Sequence, residues 1–169
     1  PMDQESRRAI FTAAQHLHAG LDLVHLRFTN THKTELAELS RYGLIFYPHP
    51  TILTEEAAKL LEEYVQGGGV LVMGARTGYK DEYGRCPMMP MPGHARSIAG
   101  AEVADYTFAR PEEAPVTIDW DGEKLPAPAF HDILKPVEGG EVLARFAGGY
   151  FSGEPALIRK TYPAGGQAY

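Results

Sequence analysis

The stretch QGGGVLVMGARTGYKDEYGR, residues 66–85, gathers the residue types from which a phosphate site, a nucleophile site or a polar contact surface is built. A phosphate loop needs glycine amides between a strand and the helix that follows it. Here Gly67, Gly68 and Gly69 follow a helical pattern and precede the apolar run VLVM, so they end a helix and turn the chain into a strand. A nucleophile elbow would fall at MGARTG, residues 73–78, a segment with Arg76 and Thr77 but neither Cys nor Ser. The single cysteine, Cys86, sits between Arg85 and Pro87 in a proline-rich loop, and spacing places no histidine beside it. A thiol nucleophile needs a positioned activating group, so Cys86 reads as non-catalytic.

Glycoside hydrolysis needs two carboxyl groups ~5 to 9 Å apart across a sugar. Asp81 and Glu82 are adjacent and point apart in an extended segment, while Glu55, Glu56, Glu62 and Glu63 fall on a solvated helix face. Asp119 and Asp121 flank Trp120, which reads as a turn at Asp121-Gly122 beside a half-buried ring, with sugar stacking as the competing reading. Seven histidines are scattered along the chain. His16 and His18 lie two apart on a helix and face different ways, and no histidine pair has the three- or four-residue spacing that shares a helix face. No metal site and no cofactor is implied.

These side chains hang on a recognisable series of elements. Residues 5–19 carry Ile10, Ala13, Ala14 and Leu17 on one helical stripe, closed by Gly20. LDLVHLRF, 21–28, alternates and predicts a strand; 34–40 predicts a short helix or turn. GLIFYP, 43–48, is continuously apolar, as in a strand buried on both faces. TEEAAKLLEEYVQ, 54–66, predicts a helix with Thr54 as N-cap and Glu55 and Glu56 at the positive end of its dipole. VLVM, 70–73, is the next strand, completing a β-α-β unit with a right-handed parallel crossover. After CPMMPMPG, 86–93, a short helix is expected near 94–99. Strand-like runs follow at 102–108, 115–120, 141–146 and 155–162, separated by turns at Asp121-Gly122, Gly139-Gly140, Gly148-Gly149 and Gly165-Gly166. The expected architecture is one α/β domain over 1–169, a mostly parallel sheet with helices on both faces and a β-rich second half that extends it antiparallel.

Composition bounds the function. The chain has 169 residues, 44% of them apolar, and a net charge of −6. An acidic chain offers no basic face for nucleic acid. No apolar run approaches the ~20 residues of a membrane helix. One cysteine permits no intramolecular disulfide, which fits a reducing compartment.

The order YGLIFYPHPTILTEEAAKLLEEYVQGGGVLVMGARTGYKDEYGR, then PMPG, then IAGAEV, resembles the middle, trimerisation domain of glycoside hydrolase family 42 β-galactosidases. The close, GYFSGEPALIRKTYPAGGQAY, is similar to the end of that domain. The resemblance covers about residues 5–169, and the loop from Arg76 to Arg85 and the closing segment are its most specific parts. It implies a flavodoxin-like, class I amidotransferase-like fold without the amidotransferase nucleophile. It implies that the catalytic glutamates lie in a (β/α)8 barrel, for which 169 residues fall short of the ~250 typical. On that reading the chain is a non-catalytic fragment of a cytoplasmic bacterial β-galactosidase. It self-associates as a homotrimer, contacts its own barrel, and meets β-galactosides only through the parent protein. The family also has a strand before the first helix, which this chain lacks, so an exposed sheet edge is expected. Arg76, Thr77, Tyr79, Asp81, Glu82 and Arg85 then become interface candidates, with Met88, Met89 and Met91 as an adaptable apolar surface. Alternatively, both segments are ordinary loops covering the sheet. Two other functions compete: a stand-alone amidotransferase-like or ThuA-like enzyme, and a carbohydrate-binding module around Trp120, Tyr79 and Tyr83.

Overall fold

The structure, a computed structural model, describes residues 2–109 and 115–169. Among the described residues four helices, α1 (Met2–His16), α2 (Leu36–Leu39), α3 (Glu55–Gln66) and α4 (Ala95–Ala99), accompany nine strands. These are β1 (Leu44–Tyr47), β2 (Val70–Met73), β3 (Ala101–Phe108), β4 (Thr117–Trp120), β5 (Glu123–Pro126), β6 (Phe130–Pro136), β7 (Gly140–Ala147), β8 (Pro155–Thr161) and β9 (Gln167–Ala168). Seven strands form one sheet in the order β1-β2-β9-β8-β7-β4-β5, and β3 and β6 form a separate antiparallel pair.

Helix α3 forms as its sequence dictates. The Thr54 hydroxyl accepts the Ala57 N–H, and Leu61 and Val65 are fully buried against Leu71 of β2. Ile98 of α4, Tyr162 and Ala168 complete that core. The β1-α3-β2 unit is parallel as expected, with Leu44 opposite Val70 and Tyr47 opposite Met73.

The sheet as a whole corrects the expectation of a mostly parallel arrangement. Only β1/β2 and β2/β9 are parallel; the pairings β9/β8, β8/β7, β7/β4 and β4/β5 are antiparallel. Parallel neighbours need long crossovers, whereas tight glycine turns make hairpins, and the second half of the chain is punctuated by such turns. At Asp121-Gly122 both residues have positive φ, 52° and 83°, in a two-residue turn joining Trp120 to Glu123. That turn adds β5, an exposed strand absent from the sequence reading, as is β6. The turn at Gly165-Gly166 folds β9 back along β8 and inserts it between β8 and β2. A side chain at Gly166 is excluded, because its Cβ would lie 1.8 Å from the Val65 carbonyl oxygen.

Three further expectations are corrected. LDLVHLRF is not a strand: apart from a single bridge between Phe28 and Lys33 it is irregular, and Leu23 is 90% exposed. Its polar backbone groups turn to Thr34 instead, whose Oγ1 accepts the Arg27 N–H and whose own N–H donates to the Arg27 carbonyl. Strand β1 is buried on one face only. Ile45 and Tyr47 pack on the α3 core, while Leu44 and Phe46 on the other face are 48% and 44% exposed. The α1 stripe is half-buried only at Ile10 and Ala14; Ala13 and Leu17 face solvent.

Candidate interface at the carboxyl ends of the parallel strands

The loop after β2 is built around a left-handed residue. Arg76 has φ 66°, uncommon for a side chain with a Cβ, and it lies in the sharp turn that leaves the end of β2. Thr77, buried, closes the turn by donating its hydroxyl to the Gly74 carbonyl at 2.6 Å. The turn is then tied to β6. The Arg76 backbone N–H donates to Asp132 Oδ2 at 2.8 Å, and the buried Tyr79 hydroxyl donates to Asp132 Oδ1 at 2.7 Å.

Burial pushes the Asp132 carboxyl above the ordinary carboxylate range, and the two hydrogen bonds partly counter it. Burial first and the Asp132 carboxylate second drive the Tyr79 phenol upward, so it stays a donor at any physiological pH. Over this anchor lies an aromatic group: Tyr106 stacks on Phe130 at 5.7 Å, Tyr79 meets Tyr106 edge-on at 5.8 Å, and the Arg76 guanidinium stands 5.5 Å from the Phe130 ring centre. Tyr106 and Phe108 remain 57% and 58% exposed.

The rest of the loop is held from its base. Gly78 N–H donates to the Pro50 carbonyl, and Lys80 N–H to that of Thr51. Asp81 Oδ1 accepts the backbone N–H groups of Tyr83 and Arg85 at 2.9 and 2.8 Å, an Asx-type turn. That turn presents Glu82, Tyr83 and Arg85 to solvent, with the Arg85 guanidinium 5.7 Å from the Tyr83 ring centre. Met88 is wholly exposed, Met89 exposed, and Met91 half-buried. Lys80 Nζ reaches the exposed Cys86 Sγ at 3.3 Å.

A family model described as the β-galactosidase trimerisation domain matches residues 11–169. The chain belongs to this family. Among relatives, β-galactosidase BgaH of Haloferax lucentense is 30% identical over 133 residues, covering 79% of this chain and 20% of its own length. β-Galactosidase BgaB of a Geobacillus species is 29% identical over 132 residues, covering 78% and 19%. The solved β-galactosidase of Bacillus circulans sp. alkalophilus superposes with a TM-score of 0.69 at 25% identity, over 77% of this chain and 20% of that one. This trimerisation domain thus spans about a fifth of the length of the relatives it matches.

Of the residues singled out in the sequence, the structure brings Arg76 and Tyr79 together on Asp132 and buries Thr77 beneath them. Asp81, Glu82, Arg85, Met88 and Met89 follow along the loop beyond. Trp120 is apart, at the β4–β5 turn, and makes no ring contact with Tyr79 or Tyr83 among the described residues. Asp132, Phe130 and Tyr106 escaped the sequence reading. Asp132 is 53 residues from Tyr79, and only the register of β3 on β6, which sets Tyr106 opposite Asp132, delivers them. His49 escaped it too. Its Nδ1–H donates to the Ala75 carbonyl at 2.8 Å, and its Nε2 accepts the Ser6 hydroxyl at 2.7 Å. The dipeptide HP between two apolar runs carries no signal of that role. No group of three or more His, Cys, Asp and Glu among the described residues is placed to hold a metal ion, and no described helix is long and apolar enough to cross a membrane.

Proposed function

We propose that this trimerisation domain is the non-catalytic self-association unit of a β-galactosidase and that the loop 76–91 supplies contacts between subunits or to the catalytic barrel. The match to the trimerisation-domain family over residues 11–169 carries the reading. The shape of the loop supports it. Exposed Met88 and Met89 follow exposed Glu82, Tyr83 and Arg85 along the loop and give it apolar and charged groups that face solvent, while Asp81 and Asp132 fix its backbone. Arg, Tyr and Met are the residue types enriched in interfaces.

The finer assignments follow from the same reading. The parent enzyme is a retaining glycosidase of the bacterial cytoplasm, its barrel alone binds β-galactosides, and its assembly is a homotrimer. The parallel β1-α3-β2-β9 portion is the amidotransferase-like half of the fold, with Arg76 in the place of the nucleophile. Sedimentation of the natural protein that contains this chain tests the reading. Met88→Asp together with Arg85→Glu should convert a trimer into smaller species with an unchanged circular dichroism spectrum. A trimer of undiminished stability in that double variant, or a natural protein that is monomeric throughout, would reject the interface.

A further inference from the structure

A cavity of about 510 Å³ lies at the carboxyl ends of β1 and β2, where Ser6 of α1, His49, Gly74 and Ala75 line it. A self-association role makes no use of it. Open α/β sheets take ligands at the carboxyl ends of their strands, and the volume falls within the ~300–1,000 Å³ of small-molecule sites. Alanine, valine, leucine, isoleucine, phenylalanine and proline make most of its wall. Its acids are Glu5 and Asp132, and no described lysine or arginine lines it, so an uncharged molecule suits it better than an anion.

One polar pair in this wall has the geometry of an activated nucleophile. His49, between Pro48 and Pro50, has left-handed backbone at φ 52°, a conformation that costs a residue with a Cβ and that gathers at functional sites. Its Nδ1 lies 2.8 Å from the Ala75 carbonyl oxygen, which can only accept, so Nδ1 carries the proton and Nε2 is the acceptor. Nε2 accepts the Ser6 hydroxyl at 2.7 Å. A Cβ at Gly74 would lie 3.0 Å from His49 Cε1 and Nδ1, so glycine there leaves the ring its place. A hydroxyl, a base and a group that orients the base thus stand together, the arrangement that makes a weak hydroxyl nucleophile reactive. Ser6 and His49 are each half-buried and keep part of their surface open.

We propose that Ser6 is a covalent acylation site that takes a small apolar acyl group from an activated, uncharged ester. Ser6 Oγ bonds to the ester carbonyl carbon and passes its proton to His49 Nε2. The bond from that carbon to the leaving oxygen breaks, and the leaving group departs as an anion with the electron pair. The imidazolium then gives its proton to solvent, and the acyl-serine remains. p-Nitrophenyl butyrate is the probe, read by peptide mass spectrometry of the natural protein that contains this chain. Ser40, Ser97 and Ser152 are exposed and have no histidine partner among the described residues, so they serve as internal standards. A positioned general base is worth ~10²–10⁴-fold, so Ser6 should be acylated at least about a hundredfold faster than any of the three. Exposure alone gives the opposite order, since Ser6 is the more buried. His49→Asn removes the base, keeps a residue type that tolerates left-handed backbone, and should bring Ser6 down to the rate of the standards. Labelling of Ser6 no faster than the standards in the unaltered protein would overturn the proposal, whether or not the variant folds. Fast labelling that survives His49→Asn would overturn it too.

Discussion

Tyr79→Phe is the sharpest probe of how the loop after β2 is anchored. The substitution keeps the ring that meets Tyr106 and Phe130 edge-on and deletes only the hydroxyl that donates to Asp132 Oδ1 at 2.7 Å. Above the pKa of Asp132 the lost bond is one to a carboxylate, and its removal should destabilise the domain by roughly 1.5–3 kcal/mol. For a domain of this size that is a fall in Tm of about 3–12 °C. Below that pKa the acceptor is a neutral carboxyl group, and the loss should shrink to about 0.5–1.5 kcal/mol. The sign of the pH dependence follows from the raised Asp132 pKa. A group held above its unfolded value contributes stability that is fully present below the unfolded pKa and is lost as pH rises through the folded one. Removing a hydrogen bond that lowers this pKa raises it further, so the variant should lose more stability than the parent chain as pH climbs through the carboxylate range. Urea titrations at acid and neutral pH measure the difference directly. A destabilisation equal at both pH values, or larger in acid, would refute the claim that a buried carboxylate anchors this loop.

Other expectations test neighbouring parts of the argument. Arg76→Gly should be more stable than Arg76→Ala by about 1–2 kcal/mol, because only glycine adopts φ 66° without a Cβ penalty; denaturant midpoints in the reverse order would remove the left-handed elbow. Gly166→Ala should prevent β9 from closing against the end of α3, since its Cβ would lie 1.8 Å from the Val65 carbonyl oxygen, while Gly165→Ala meets no neighbouring atom and should cost only the left-handed backbone penalty at φ 88°, about 1–2 kcal/mol; similar melting temperatures for the two would contradict that close approach. Asp81→Ala removes the acceptor for Tyr83 and Arg85 N–H and should speed hydrogen exchange at both amides and weaken assembly of the natural protein, and unaltered exchange would show the loop to be held by other means.

Much of the first half of this fold was legible in the sequence because its signals are local. The run from Thr54 to Gln66 carries its cap, its dipole charges and its buried stripe within a few turns, and it became α3. The paired turn residues Asp121-Gly122 and Gly165-Gly166 became hairpins for the same reason. LDLVHLRF shows the limit of such reasoning. Its alternation is strand-like, but a strand exists only through a neighbour's hydrogen bonds, and the nearest backbone partner of that segment is the loop at Thr34. The apolar run of β1 likewise gives no information about which of its faces another layer covers.

The sequence by itself determined the β-α-β unit, the hairpin turns, the elbow without a nucleophile and the family resemblance, since each rests on residues close together in the chain or on their order along it. Tertiary structure alone decided the sheet order, with β9 inserted between β2 and β8, and the meeting of Arg76 and Tyr79 with Asp132. Both depend on pairing between segments dozens of residues apart, where a shift of one position would turn Asp132 to the other face of its strand and leave the loop without its anchor.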